Sequence, residues 1–378
     1  MKKVFLVFIT IILVVNAGMF LTGNRHLYKA IYHTYADIDD YKIFENNTIA
    51  ATSGAPWNLH TSYNKSTMLQ DFDTLMEAWD SKAFVIIKND SLLFEKYWDG
   101  YNDTTISGSF SVAKSIVNVL VGCALREGKI RSLDDAVGNY IDEFNIGANN
   151  KITIRHLLQM ASGLEWDEAY SSAFSITTKA YYGTDLYNLC ANLQAREAPG
   201  KVFNYQSCNS ELLGMIVIKA TGMSLAAYAA QKLWIPLQAE HKALWSVDRK
   251  DGLEKAYCCF NATARDFARI GKLYLQMGNY NGQQIVDTSF VINSTTPNQL
   301  AESDGTPCLR YGLHWWCINK NGIQCYFARG ILGQYIFVFP SLNAIAVRLG
   351  NGRGEPTPDK QLTDIHFYVD QTVALCKK

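Results

Sequence analysis

Apolar and polar residues follow two different patterns along this chain, and each pattern predicts a different kind of element. Short apolar runs bounded by turn residues predict strands near both ends, over 83–98 (a β-hairpin), 312–319, 322–329, 335–340 and 344–349. Helical spacing predicts helices over 67–79, 111–127, 154–160, 186–194, 210–221, 225–233, 264–276 and 359–375. This order predicts an α+β fold in which distant segments complete one sheet, with a helical insertion at about 128–300.

The N-terminus has a third pattern. Lys2 and Lys3 precede an apolar run over 4–21, which is typical of an export segment whose positive end stays inside. The run is just long enough to span a bilayer, and Val15-Asn16-Ala17 resembles a cleavage site. A cleaved signal peptide and a retained signal anchor, which would tether the chain to the membrane, both fit. Either one places the residues from about 25 onward outside the cytoplasm, in the periplasm or secreted.

These patterns divide the chain into three parts. Residues 1–23 form the export segment, residues 24–66 are polar and predict an irregular lead-in, and residues 67–378 form one large domain. An apolar content of 48% excludes a disordered chain. Balanced charge, with 35 basic and 35 acidic residues and no basic run, gives no reason to expect a nucleic-acid partner.

Histidine and cysteine usage predicts neither a metal site nor a cofactor. The seven histidines do not cluster, and neither C-x-x-C nor H-E-x-x-H occurs. The odd number of cysteines, nine, leaves at least one unpaired within the chain. Cys317 and Cys325 flank a predicted hairpin turn at 319–322 and are the best candidates for a disulfide. Most of the other cysteines lie in apolar helical runs and are expected to be core thiols.

The strongest candidate for chemistry is Ser111-Val-Ala-Lys114, at the start of the predicted helix over 111–127. Residues three apart on a helix share a face, so the hydroxyl and the amine point the same way. A serine nucleophile needs a neighbouring base, and a buried lysine with a lowered pKa can be one. The alternative is a helix-capping serine with an exposed lysine. A second match, Ser62 to Lys65, has no apolar run behind it and predicts a loop.

A tyrosine follows in the second candidate element. Tyr205-Gln-Ser207 lies between Pro199-Gly200 and a predicted helix, and a tyrosine there can take or return a proton. Tyr170-Ser-Ser172 matches the same short pattern but lacks this context. A packing role is the alternative for any one of the 21 tyrosines.

The third element is Gly330-Ile-Leu-Gly333-Gln334, at the end of a predicted strand. A glycine inside a strand often marks the close approach of a ligand to the backbone. The N–H of Ile331 can then pair with that of Ser111 as an oxyanion hole. A bulge at the strand end is the alternative.

Taken together and in this order, the three elements resemble the serine β-lactamase-like superfamily, and most closely its branch of class C β-lactamases, esterases and nylon-oligomer hydrolases. The resemblance covers roughly 67–350 and includes the segments 154–164, 263–271 and 311–316. It implies an antiparallel sheet flanked by helices, an all-helical subdomain and a cleft between them. It also implies an acylated nucleophile at Ser111, and acid–base work shared by Lys114 and Tyr205. The oxyanion hole is then formed by Ser111 and Ile331. The substrate-binding residues that it implies are Ser207, Gly330, Tyr170 and Trp315.

One motif departs from the family pattern. Relatives carry Lys-Thr-Gly or His-x-Gly where this chain has Ala328-Arg-Gly330. If Gly330 faces the cleft, strand alternation puts Ala328 there as well and turns Arg329 away. No fixed cation then meets a substrate carboxylate, unless Arg348 on the next predicted strand reaches in.

The leading interpretation is therefore a serine hydrolase that forms an acyl-enzyme on a small-molecule ester or amide. Two alternatives remain open. One is a β-lactamase or D-Ala-D-Ala peptidase of the same fold. The other is a non-catalytic, membrane-anchored domain that senses acyl compounds.

Overall fold

Thirteen strands and twelve α-helices occur in the computed structural model, which describes residues 1–52 and 54–377. The strands are β1 (Asn46–Ile49), β2 (Asn58–Leu59), β3 (Ser81–Lys88), β4 (Ser91–Tyr97), β5 (Ser107–Gly108), β6 (Ala243–Ser246), β7 (Phe260–Ala262), β8 (Asn279–Tyr280), β9 (Gln283–Gln284), β10 (Trp316–Lys320), β11 (Ile323–Gly330), β12 (Gln334–Phe339) and β13 (Ala344–Gly350). The helices are α1 (Lys2–Leu21), α2 (His26–His33), α3 (Phe72–Ala78), α4 (Val112–Arg126), α5 (Ile154–Leu158), α6 (Ile176–Tyr182), α7 (Leu186–Ala191), α8 (Ser207–Thr221), α9 (Leu225–Ala229), α10 (Ala264–Leu275), α11 (Thr288–Thr295) and α12 (Thr363–Cys376).

The predicted strands from the two ends of the chain meet in one sheet, as expected. Its order is β10-β11-β12-β13-β3-β4-β2, and all neighbours are antiparallel except β2 and β4. The join between the two ends is the pairing of β13 with β3, in which Val347 lies opposite Val85. The expected α+β architecture, an antiparallel sheet flanked by helices, is confirmed.

Both faces of this sheet are buried, which explains why its strands read as nearly continuous apolar runs. One face carries Val85, Ala328 and Val347 and packs in the larger core with α4 and α10. The other face carries Phe84, Phe327 and Phe337 and packs against α3 and α12. Helix α4 is buried from Val112 to Ala124, because it runs through the larger core, and its polar residues Lys114, Ser115 and Asn118 are buried with it.

The segment from 24 to 66 is not the irregular lead-in that its polar composition predicts. It contains α2, β1 and β2, and β1 pairs with β6 in a four-stranded sheet of order β1-β6-β7-β5. Long-range pairing stabilises these short elements, and their own sequence carries little signal for it. The second Ser-x-x-Lys match lies in a turn, as expected, where Lys65 donates to the carbonyl oxygen of Thr61 at 3.0 Å.

Helix α1 contains the apolar N-terminal run. It is long enough and apolar enough to cross a bilayer, and among its described residues none of the apolar window is buried. A signal sequence has the same properties. This is compatible with an extracytoplasmic location for the domain that follows.

The predicted disulfide between Cys317 and Cys325 is wrong. In the β10–β11 ladder Cys317 lies opposite Tyr326 and Cys325 lies opposite Ile318, so the two side chains point to opposite faces of the sheet. Both are free, buried thiols. The disulfide in the structure joins two adjacent residues, Cys258 and Cys259.

We expect Gly271→Val to lower the free energy of unfolding by about 1–3 kcal/mol, the usual cost of overpacking a core. Helix α10 lies so close to the sheet that a Cβ at Gly271 would come within 2.6 Å of Cγ2 of Ile345. Guanidinium unfolding in detergent measures the loss. Ala227→Val, at an exposed position of α9, controls for the helix propensity of valine. Equal losses in the two variants would contradict this account.

Candidate active site

Ser111 and Lys114 are in hydrogen-bond contact at the start of α4. Ser111 is the residue before the first helical position, and Lys114 lies three residues on, on the same face. Nζ of Lys114 lies 2.9 Å from Oγ of Ser111 and donates to the carbonyl oxygen of Tyr257 at 2.7 Å. The lysine is 1% exposed, which excludes the alternative of an exposed lysine.

Burial also sets the protonation of Lys114. The loss of water disfavours the ammonium form and lowers the pKa of Lys114 to about 8, while the negative charge of Glu168 raises it and limits the shift. A lysine with this pKa is neutral in a useful fraction of molecules near neutral pH. It is therefore able to accept a proton from the Ser111 hydroxyl.

The residue before Ser111 has a strained backbone. Phe110 has a φ of 45°, which is uncommon for a residue with a side chain. The neighbouring backbone holds it there, since Ser109 N–H donates to the carbonyl oxygen of Phe260 at 3.0 Å. Strain of this kind persists where the fold must aim a particular side chain. Here it sets Ser111 at the N-terminus of α4, where the first N–H groups have no acceptor within the helix.

Tyr205 lies two residues before α8, close enough to the Ser111 side chain for that hydroxyl to lower the pKa of the phenol in part. The centre of its ring is 5.3 Å from Nζ of Lys114. Burial raises the pKa of Tyr205 above its usual value, so the phenol keeps its proton at neutral pH. The other candidate, Tyr170, is 49% exposed, and its hydroxyl donates to Glu168.

The turn that carries Ile331 lies against the segment before Ser111. A Cβ at Gly330 would come within 2.3 Å of the carbonyl oxygen of Ser109, so glycine is needed here for the approach of the chain's own backbone. Ser111 and Ile331 line the same two cavities. The N–H of Ile331 begins a short 3₁₀ turn and has no acceptor within that turn.

Arg348 supports this turn from behind and does not reach into the cleft. Its Nη1 donates to the carbonyl oxygens of Leu332 at 2.9 Å, Gly333 at 2.8 Å and Gly352 at 2.8 Å. The side chain is 0% exposed. The alternative left open by the sequence, that Arg348 reaches in to meet a substrate carboxylate, is therefore excluded, because backbone carbonyls and Ser81 use its donors.

Arg329, and not Ala328, faces the site. Ala328 is buried in the core that contains α4, whereas Arg329 lines a cavity with Gly330, and its guanidinium lies 5.0 Å from the centre of the Trp316 ring. The alternation argument is wrong because Gly330 has no side chain and lines the cavity with its backbone. The contact of the Gly330 backbone with the cavity therefore does not tell which of the preceding side chains points toward it.

Trp315, expected to bind substrate, is buried instead. It is 0% exposed, and its ring centre lies 4.2 Å from that of Tyr274 in the core. The next residue, Trp316, lines the cavity, with its ring centre 5.4 Å from that of Tyr205. A shift of one position along a strand moves a side chain to the opposite face.

Glu168 connects the other expected substrate-binding residues and was missed by sequence reasoning. It accepts hydrogen bonds from Ser207 N–H at 2.7 Å, Ser207 Oγ at 2.6 Å and Trp166 Nε1 at 2.7 Å, as well as from the Tyr170 hydroxyl. Its position two residues before Tyr170 was the available signal. Glu165 and Asp167 also lie within five residues of Tyr170, so the sequence alone had no means of choosing among the three acidic residues.

Two cavities of different character meet at Ser111. The first, of about 450 Å³, is lined mainly by apolar, aromatic and hydroxyl side chains, among them Tyr170, Ser207 and Cys258 of the disulfide. The second, of about 350 Å³, is lined by Glu168, Tyr205 and Trp316 and by four basic residues, Arg310, Arg329, Arg353 and Lys360. Across the residues that the structure describes, no three His, Cys, Asp or Glu side chains are grouped to hold a metal ion.

Comparison with known proteins decides the family. The model of the family described as Beta-lactamase matches residues 70–370, which is most of the chain. The chain belongs to the beta-lactamase family. Family and structural neighbours are hydrolases of the beta-lactamase fold, so the chain is a hydrolase by family.

Three known proteins illustrate how similar the chain is to other proteins of this fold. It is 26% identical over 316 residues to the 6-aminohexanoate-dimer hydrolase of Paenarthrobacter ureafaciens, covering 78% of each chain. The structure of a candidate 6-aminohexanoate-dimer hydrolase from Bacillus anthracis aligns with a TM-score of 0.78 at 23% identity, over 90% of this chain and 92% of that one. A penicillin-binding protein from Bacillus halodurans aligns with a TM-score of 0.61 at 19% identity, over 80% and 99%. At these identities the two structures establish the shared fold.

We expect Glu168→Gln to move the acidic limb of the kcat/KM profile to lower pH. The Glu168 carboxylate raises the pKa of Lys114, so removing its charge lowers that pKa further, and Lys114 becomes neutral at lower pH. Rates on a soluble ester across pH 5–10 measure the midpoint. Glu165→Gln, which loses an exposed ion pair with Arg196, is the control. A midpoint that stays in place, or rises, would contradict the electrostatic role whatever happens to the rate itself.

Proposed function

We propose that this chain is an extracytoplasmic serine hydrolase that forms an acyl-enzyme at Ser111 on an ester or amide substrate. The observation that carries the proposal is the contact of 2.9 Å between the Ser111 hydroxyl and the buried amine of Lys114, whose pKa is lowered to about 8. The same contact favours catalysis over a non-catalytic sensor domain, which needs no such amine.

The proposed acylation uses four residues. Lys114 takes the proton of Ser111 Oγ, which attacks the carbonyl carbon, and the N–H groups of Ser111 and Ile331 stabilise the oxyanion. Tyr205 donates a proton to the leaving group and recovers one by way of Lys114. Water then cleaves the acyl-serine ester by the reverse sequence. Ser207, Gly330 and Tyr170 contact the substrate in this scheme, with Trp316 in place of Trp315.

The named relatives support a hydrolase of this chemistry. One of them, from Paenarthrobacter ureafaciens, is called a 6-aminohexanoate-dimer hydrolase, and its name points to an amide substrate in that protein. Helix α1 supports export of the domain, either as a signal sequence or as a retained tether. We treat residues 67–378 as the hydrolase domain with its helical insertion at about 128–300.

We expect a fluorophosphonate probe to add to wild-type protein and not to Ser111→Ala. The Ser-x-x-Lys pattern selects Ser62 and Ser111. Of these two, only Ser111 is in contact with a lysine whose pKa is lowered. Intact-protein mass spectrometry measures the adduct. Ser62→Ala, which removes the other pattern match, should label like wild type. Labelling of wild type should rise with pH to half its maximum near pH 8, as Lys114 loses its proton. Equal labelling of Ser111→Ala would refute the assignment.

A second candidate function is a β-lactamase or D-Ala-D-Ala peptidase. Arg329 favours it, because this cation lines the cavity that also contains the proton donor Tyr205. A leaving group that receives its proton from Tyr205 lies in that cavity. A carboxylate on the leaving group would then meet the basic residues around it.

We expect Arg329→Ala to reduce the preference for a leaving group that carries a carboxylate by about ten- to a hundredfold. This is the effect of losing one charge-assisted hydrogen bond of about 1.5–3 kcal/mol. The measurement is the ratio of kcat/KM for a matched pair of amides, one with a free carboxylate and one with its methyl ester. Arg155→Ala, which loses an ion pair at the protein surface, is the control. An unchanged ratio would argue for neutral leaving groups and for the esterase-like function alone.

A further inference from the structure

The first cavity beside Ser111 is suited to an apolar acyl group. Its walls include Ala30, Ile31, Tyr35, Phe110 and Leu332, and Arg353 is the one charged residue among the described residues that line it. Tyr205 lines the second cavity and not this one. Under the proposed function the leaving group therefore lies on the side of Tyr205, and the acyl group enters the first cavity.

One wall of this cavity comes from the segment next to α1. Ala30, Ile31, Thr34, Tyr35 and Ala36 belong to α2 and the turn after it. Helix α2 is held against α6, since Ala30 packs with Tyr182. Residues 22–25 alone separate α1 from α2. Even fully extended they span only about 14 Å.

The outer surface of α2 is an exposed apolar stripe. Tyr28, Ile31 and Tyr32 share one helix face and Tyr35 follows two residues after the helix, with exposures between 46% and 83%. Phe174 is 80% exposed and directly follows Ala173, which lines the same cavity. Soluble proteins rarely leave such a patch uncovered.

A lipid bilayer would cover this exposed stripe, because α1 can anchor the chain in a membrane. If α1 spans a membrane, the short connection keeps α2 at the level of the lipid headgroups. Tyrosines are enriched at that level because the ring is apolar and the hydroxyl is hydrated. Arg25 and Lys29, both exposed, add positive charge on the same segment, which suits anionic headgroups.

We propose that the stripe formed by Tyr28, Ile31, Tyr32, Tyr35 and Phe174 lies on the bilayer that holds α1, and that the substrate is a membrane-resident ester or amide whose acyl chain enters the adjoining cavity. The proposal rests on the acyl-enzyme function above. Ser111 Oγ forms an ester with the acyl group while the carbonyl bond to the alcohol or amine breaks. That leaving group departs with a proton from Tyr205, which regains the proton of Ser111 by way of Lys114. Water then releases a fatty acid and restores the serine.

The test uses the full chain reconstituted in phosphatidylcholine vesicles. Two substrates are compared: a dodecanoyl ester carried in the vesicles and the acetyl ester of the same alcohol in water. The variant Tyr32→Ser/Phe174→Ser removes two stripe residues that do not line the cavity. We expect it to lower turnover of the vesicle-borne ester at least tenfold and to leave acetyl ester turnover within twofold. Ile146→Ser/Ile292→Ser, at exposed apolar positions that line neither cavity, should change neither rate.

A second variant examines the cavity itself. Ile31→Trp places a larger side chain in the wall and should lower the dodecanoyl-to-acetyl ratio of kcat/KM about tenfold, in detergent micelles as well as in vesicles. An unchanged ratio would overturn the acyl assignment.

Other outcomes would overturn the membrane placement. These are equal losses in the stripe variant and its control, a stripe variant that turns a dimer into a monomer, or recovery of a mature chain that begins after Ala17. Wild-type protein that hydrolyses acetyl ester but shows no preference for the vesicle-borne ester refutes this inference and leaves the proposed function standing. Wild-type protein that hydrolyses neither ester and takes no fluorophosphonate refutes both.

Discussion

The burial of one amine is the constraint on which the rest of this site depends. Lys114 lies inside the core, and its two hydrogen bonds go to a hydroxyl and a backbone carbonyl and not to a carboxylate. Lowering its pKa from 10.5 to about 8 means that the site destabilises the charged amine relative to the neutral amine by roughly 3 kcal/mol. That environment exists only because α4 is buried from Val112 to Ala124 and runs through the larger core. An amphipathic helix at the same place would leave the amine in water and charged.

Backbone geometry provides the second part of the site. The strained φ at Phe110 sets Ser111 at the start of α4, and Gly330 lets the end of β11 approach Ser109. Arg348 then fixes the following turn by binding its carbonyls from the buried side. The turn is therefore held rigidly by groups that never meet substrate. Such pre-organisation is what oxyanion stabilisation requires, because donors that need not move at the moment of reaction cost no reorganisation.

The cleft acquires two different sides because segments far apart in sequence converge on Ser111. The basic side takes Arg310, Arg329, Arg353 and Lys360 from the C-terminal third of the chain. The apolar side takes residues 30–36 from the N-terminal segment and residues 170–182 from the helical insertion. Ser111 lies where the two sides meet, so under the proposed function an apolar acyl group and a charged leaving group would each have suitable surroundings beside the same serine.

The sequence by itself determined most of the longer helices and strands, the sheet that joins the two chain ends, and the candidate residues of the Ser111, Tyr205 and Gly330 motifs, because periodicity and short motifs are local. It did not determine which neighbour faces the cleft. Arg329 and Trp316 line the site where Ala328 and Trp315 were expected, since a strand's facing depends on what packs against it. The sequence also did not reveal β1, α2 or the hydrogen bonds of Glu168. These depend on contacts with residues more than 30 positions away along the chain. Tertiary structure decided these features, because burial and long-range contacts depend on which distant segments meet.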